Sequence, residues 1–392
     1  MNLGFSVSNF FCETKIMRLA VTIIFIALFI AIAVGLLTLF LSSFGKETQT
    51  GDGQAGPTSS ERIQISQDSG KTFTTASISP EAKEVLASAS LVSLFEDPDV
   101  AARWWLVTNA AIFVSEDNAA TWDFLRNANN EAVSGATAFA RETGSSVLYV
   151  ANVVDGRGRI FRSDDLGKTF LEVFSTAQTD VSISSLSVDP AQRSRVLAGM
   201  SDGFSVVSSD RGTTWTTLGS FQGTIDRIVF SPQDPNIVFM TILGKGILSS
   251  GDGGTTWGEL GDTNLSRFRG GTAMLDLAIL PGTVANVVLA TEAGLLVSDN
   301  AGIFNIVEAL VVPPKSLPIL SVSFNPLNAL EAYVSARNGL YKTKDFGETW
   351  EVTRLAEGKD LRFVRVSRDN PSVLILVLAT PPKKSGGAFR LF

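Results

Sequence analysis

The sequence predicts an all-β fold, a seven-bladed β-propeller of repeated turn motifs behind one N-terminal transmembrane helix. Three observations carry that prediction: one short motif recurs seven times, the copies stand at nearly equal intervals, and Leu19–Leu41 is a run of 23 residues without a charge. Fixed-period self-similarity marks a repeat architecture, and roughly 40 to 50 residues is the length of one four-stranded propeller blade.

The clearest copies are Ser66-Gln-Asp68-Ser-Gly70-Lys-Thr72-Phe73, Ser163-Asp-Asp165-Leu-Gly167-Lys-Thr169-Phe170, Ser208-Ser-Asp210-Arg-Gly212-Thr-Thr214-Trp215, Ser250-Gly-Asp252-Gly-Gly254-Thr-Thr256-Trp257 and Thr343-Lys-Asp345-Phe-Gly347-Glu-Thr349-Trp350. Two are degenerate: the copy at Asp117 has Ala119 for the glycine but keeps Trp122, and the copy from Ser298 has Asn300 for the aspartate. Positions 68, 117, 165, 210, 252, 300 and 345 are 49, 48, 45, 42, 48 and 45 apart. Aspartate and serine oxygens accept from nearby backbone N–H groups, glycine supplies positive φ, and the aromatic residue opens the next strand with an apolar anchor. Asp68, Asp117, Asp165, Asp210, Asp252 and Asp345 therefore read as turn-forming, and Trp122, Trp215, Trp257 and Trp350 as packing between blades. A calcium loop needs more oxygen ligands than one box offers, so no metal is expected.

Residues 1–18 form a short N-terminus, 19–41 the expected transmembrane helix, 42–60 a flexible linker and 61–392 the propeller. Leu19–Leu41 is long enough to span a bilayer. Lys15 and Arg18 precede it, whereas Lys46 is offset by Glu47 and Asp52, which places the N-terminus in the cytoplasm and the propeller outside it, as a single-pass protein of the cell membrane. The linker is rich in Ser, Thr, Gly and Gln. In each repeat an alternating segment, two short apolar runs and the run after the box make strands A to D, with the box between C and D. Six intervals give six blades. Leu361–Val366, Val373–Ala379 and Ala388–Phe392 look like strands A, B and C of a seventh, completed by a strand D from Phe73 to Ser77; Arg62–Ser66 competes with Ala388–Phe392 for the place of strand C.

These boxes resemble the Asp-box or BNR repeat family, whose motif is Ser-x-Asp-x-Gly-x-Thr-Trp. Five of the seven copies match it when Phe replaces Trp and Thr replaces Ser, and the resemblance spans Glu61 to Phe392. Such repeats occur in sialidases, sortilin-type receptors, some xyloglucan-cleaving hydrolases and photosystem II stability and assembly factors. A single propeller behind a short linker is most similar to the assembly-factor type. The resemblance implies the fold and leaves several activities open.

The chain contains no histidine, which removes Ser-His-Asp and Cys-His catalysis and histidine metal sites, and it has no phosphate-cradling glycine loop. No cofactor and no catalytic residue is nominated. A sialidase would need a tyrosine nucleophile, but Tyr149, Tyr333 and Tyr341 fall at routine strand positions. Hydrolysis by a carboxylate pair stays open as the alternative. The net charge of −7 argues against nucleic-acid binding. The single cysteine, Cys12, precedes the apolar run.

Sorting loop charges by face puts Asp97, Asp99, Asp189, Asp234 and Asp369 with the boxes, and Arg157, Lys245, Arg267, Arg269, Arg337, Lys359 and Lys383 on the opposite face, where the D–A and B–C loops surround the channel mouth. That cationic set is the candidate binding surface. The reading is a membrane-anchored, extracytoplasmic, non-enzymatic scaffold for a protein or glycan partner. The alternative is a carbohydrate-active hydrolase or a glycan-binding module.

Overall fold

The computed structural model describes residues 62–260, 262–299, 302–310, 318–355 and 358–380, without the side chains of 262–264. The expected membrane span, the linker, Asn300, Lys383 and Ala388–Phe392 lie outside the described residues. Among the described ones no helix is long and apolar enough to cross a membrane.

Seven antiparallel sheets form the ring. Strand A of blades 1 to 7 is Leu91–Glu96, Ala138–Arg141, Ile183–Val188, Ile225–Phe230, Met274–Ile279, Ile319–Asn325 and Asp360–Val366. These strands face their counterparts in neighbouring blades and so surround the axis. Strand B is buried along its whole length in Trp104–Thr108, Val196–Met200, Val238–Ile242 and Val287–Thr291, because both its faces are covered by adjacent blades. The outermost strands, such as Leu171–Ser175 and Thr216–Ser220, have one open edge and are mostly exposed or half-buried. The core is divided among the seams between blades. One seam holds Trp105 and Leu148 against Phe139, whose ring lies 5.5 Å from that of Trp105.

Blade 7 is assembled from both ends of the ring. Asp360–Val366 and Leu374–Ala379 supply strands A and B, and Ile63–Ser66 and Thr74–Thr75 supply C and D. Ile63 to Ser66 pair with Val377 to Leu374 in unbroken register. The place expected for Ala388–Phe392 is thus filled by the chain entering the ring, whose apolar Ile63 and Ile65 match the seam. The expected strand D also ends early: Ser77–Ile78 leaves blade 7 and pairs in parallel with Thr121–Trp122 of blade 1. A helix unforeseen from the repeat pattern, Pro80–Ser88, follows, with proline at its first turn. Arg62 is buried and donates to the carbonyls of Leu86 and Ala89, placing a cation at the C-terminal end of that helix. The ring is therefore closed by two strands and a strap that crosses from blade 7 to blade 1.

Each complete box folds the same way. In the fourth-blade copy Ser250 Oγ donates to Asp252 Oδ1 at 2.7 Å and accepts from the backbone N–H groups of Asp252 and Gly254. Asp252 accepts the Thr256 N–H on Oδ1 at 2.8 Å and the Thr256 hydroxyl on Oδ2 at 2.6 Å. The same threonine bonds hold the carboxyls of Asp68, Asp165, Asp210 and Asp345 at about 2. Trp122, Trp215, Trp257 and Trp350 each donate Nε1 to the carbonyl at the box glycine position. Gly254 has φ +85, and a Cβ there would stand 2.8 Å from Leu197 of blade 3, so the glycine is required by both the turn and the seam. The degenerate box keeps the Ser115–Asp117–Thr121 bonds with Ala119 at φ 67.

Candidate functional site

Six innermost strands carry a β-bulge near their start, between Leu91 and Ser93, Ile183 and Ser185, Ile225 and Arg227, Met274 and Asp276, Ile319 and Ser321, and Leu361 and Phe363. A bulge leaves one residue out of the ladder and re-aims its neighbours. Two of the skipped residues here, Leu275 and Leu320, offer their carbonyls to arginines of other blades: Arg227 Nη2 donates to Leu275 at 2.9 Å and Arg362 Nη1 to Leu320 at 3.0 Å.

Asp276 is the hub of the resulting network. Buried on blade 5, it accepts from Arg227 of blade 4 at 2.9 Å, from Arg365 of blade 7 at 2.9 Å, and from the Ser321 hydroxyl of blade 6 at 2.7 Å. The N–H groups of Leu277 and Val322 complete its shell. Arg365 also donates to Ser321 Oγ and to the Leu94 carbonyl of blade 1. Five blades are thus linked across the axis by one carboxylate and two guanidinium groups. Burial alone would raise the Asp276 carboxyl, but Arg365 and then Arg227 outweigh it and hold it at about 2.

Strand A runs from the D–A loops toward the boxes, so Arg362 lies between this hub and the loop-bearing mouth. Its guanidinium is 5.1 Å from the Phe363 ring and has no carboxylate in salt-bridge range among the described residues. Burial, reinforced by Arg227, lowers its pKa. Asp226 is held by Arg227 at 3.3 Å. The axial network therefore sets three arginines against two aspartates.

The loop cations nominated from sequence differ in their surroundings. Arg157, Lys245, Arg269 and Arg337 are exposed on the loop-bearing face. Arg267 is also exposed but engaged: Nη2 donates to the Phe304 carbonyl on the outer strand of blade 5 at 2.6 Å, and the guanidinium stacks 4.7 Å from the Phe268 ring. Lys359 is half-buried, and its pKa is lowered by burial and then by Arg62. Asp155, Asp202 and Glu292 are exposed on the same face and dilute its charge.

On the box face the expected acidic set divides: Asp99 and Asp369 are exposed and Asp234 is half-buried, but two are internal. Asp97 and Asp189 are buried; Asp97 takes a bond from Trp105 Nε1 at 2.9 Å and pairs with Arg141, and Asp189 pairs with Arg195. Buried Glu142 takes both Nε and Nη2 of Arg211, across from blade 2 to blade 3. These acids tie A–B turns and boxes together. Tyr149 and Tyr333 are fully buried.

Two carboxyls are raised by burial, Glu96 and Asp360. They stand at opposite ends of their innermost strands, Glu96 on the box side against Ser367 and Arg368 and Asp360 on the loop-bearing side. They cannot flank one glycosidic bond. Among the described residues no group of three or more potential metal ligands converges.

No protein-family model matches the chain, and no curated protein matches it in sequence. Solved structures do. A GH74 xyloglucanase from Xanthomonas campestris superposes with a TM-score of 0.59 at 17% identity, over 74% of this chain and 51% of that one. YCF48 bound to D1 peptide gives 0.56 at 14% identity, over 76% of this chain and 95% of that one. YCF48 from Cyanidioschyzon merolae gives 0.56 at 15%, over 76% and 97%. The chain thus spans about half of the xyloglucanase and nearly all of either YCF48, and it shares their propeller fold.

Proposed function

We propose that this chain is a membrane-anchored, extracytoplasmic propeller that binds a protein partner through the face formed by its D–A and B–C loops, and that it catalyses no reaction. The observation that supports this most is the fate of the central carboxylates. Asp276 is locked by two arginines and three further donors, whereas exposed cations and Arg362 remain on the loop-bearing side. Ionised, buried and fully paired, Asp276 has no proton to give and no open oxygen with which to attack. The likeness to YCF48 bound to D1 peptide agrees with a protein or peptide ligand. The likeness to a xyloglucanase favours a second reading, glycan binding or hydrolysis, but only about half of that enzyme is represented here.

The anchor is proposed from the uncharged run at Leu19–Leu41 and its flanking charges. Binding is tested by capturing partners from native membranes with the full chain. Capture by the parent should fall with added salt; Arg269→Glu with Arg337→Glu should weaken capture and lessen its sensitivity to salt, whereas Glu348→Lys with Asp234→Lys on the box face should leave it nearly unchanged. Equal losses from both pairs would refute a loop-face site. Release of reducing sugar from xyloglucan would establish the second reading.

A further inference from the structure

We propose that the loop-bearing face holds a peptide-anchoring pocket on the shoulder of blades 3 to 5, away from the axial arginines, which accepts one bulky apolar side chain next to one carboxylate. This rests on the protein-binding reading above and names where the partner docks and by what chemistry.

The pocket lies beside strand D of blade 4, Gly258–Leu260, and the turn Asp262–Arg267. The space left open measures about 540 Å³, within the range of pockets that hold peptide-sized groups. Its lining is mainly apolar, from Phe221, Ile242, Ile247, Leu260 and Leu265. Its rim is one connected wall. The Leu243 N–H bonds the Thr224 carbonyl at 2.9 Å, the Phe221 N–H bonds the Gly203 carbonyl at 2.9 Å, and a Cβ on Gly203 would meet Gly223 at 2.7 Å. Two large apolar side chains next to lining residues reach solvent: Phe204, paired with Ser220, at 44% and Leu243, which follows Ile242, at 38% exposure. Exposed apolar groups around a concave apolar floor, rimmed by polar residues, mark an interaction site.

Charge then narrows the occupant. Lys245, in the B–C turn of blade 4, lines the pocket, and its stem lies 3.7 Å from the Cβ position of Gly223 across the seam. It has no carboxylate partner among the described residues. Glu259, on the outer strand, also lines the pocket and repels a second acid there. The pocket therefore suits a single acid beside an apolar anchor and not an acidic run. Gln222, at φ 51, is held in a strained turn on the same wall.

The test uses the full chain and two probes, acetyl-Gly-Phe-Glu-Gly-amide and its counterpart with lysine for glutamate, observed by saturation-transfer NMR on the phenylalanine ring. The glutamate peptide should bind, and the lysine peptide about fivefold or more weaker. Phe204→Ser with Leu243→Ser, both at exposed sites, should reduce binding about tenfold. Lys245→Glu should reverse the preference between the peptides. Unchanged signals in these variants, or equal signals from the two peptides, would overturn the pocket. Partner capture separates the two levels: capture that persists in Lys245→Glu and in Phe204→Ser/Leu243→Ser refutes the pocket alone, whereas absence of capture by the parent chain refutes protein binding itself.

Discussion

Replacing Asp276 by asparagine keeps the shape of the hub and removes its charge. The carboxyl lies at about 2 against an ordinary 3.8, a preference for the charged form on the order of 2 kcal/mol. The substitution also leaves Arg227 and Arg365 facing each other near Arg362, and stranding a buried cation typically costs about 3 to 5 kcal/mol. Urea unfolding followed by tryptophan fluorescence at pH 7 should therefore show a loss in that range. Because the folded pKa is depressed, the charge contribution is complete above about pH 4 and disappears as pH falls through about 2. The parent should lose this increment across that window and Asp276→Asn should not. Adding Arg365→Gln to Asp276→Asn should restore part of the loss by removing one stranded cation. A single variant within about 0.5 kcal/mol of the parent would refute the hub as the element that joins five blades.

Gly254→Ala should destabilise the ring by roughly 1 to 3 kcal/mol, because its Cβ meets Leu197 at 2.8 Å in a positive-φ turn, whereas Gly258→Ala, with nothing within 4 Å, should be near neutral; thermal melts compare the two. Cys12 should resist a membrane-impermeant thiol reagent in intact cells and react after lysis, and a mature chain beginning beyond Leu41 would eliminate the anchor.

The ring was legible from the boxes because their chemistry is local: Ser, Asp, Gly and Thr within seven residues satisfy one another without reference to the rest of the fold. The sharing of blade 7 between the two ends was legible too, from the count of six intervals, but the choice between two candidate third strands depended on pairing with Leu374–Ala379, a contact far away in sequence. The axial site is not legible from loop charges or from the apolar pattern of the strands. Arg227, Asp276 and Arg365 sit inside strands, and Arg227 and Asp276 are one repeat apart, 49 residues. A charge recurring near the start of an innermost strand was the available signal. Loop charges sorted by face do not all reach solvent: Asp97 and Asp189 on the box face are drawn inward by Arg141 and Arg195, so sequence position on a face does not by itself place a side chain on its surface.

Photo-crosslinking in native membranes distinguishes the two faces most directly, with the reactive group placed at Leu243 on the loop-bearing face or at Leu327 on the box face, whose side chain is 81% exposed. Adducts with a partner protein from Leu243 and none from Leu327 are expected. Adducts from Leu327 alone, or equally from both, would contradict binding through the loop-bearing face.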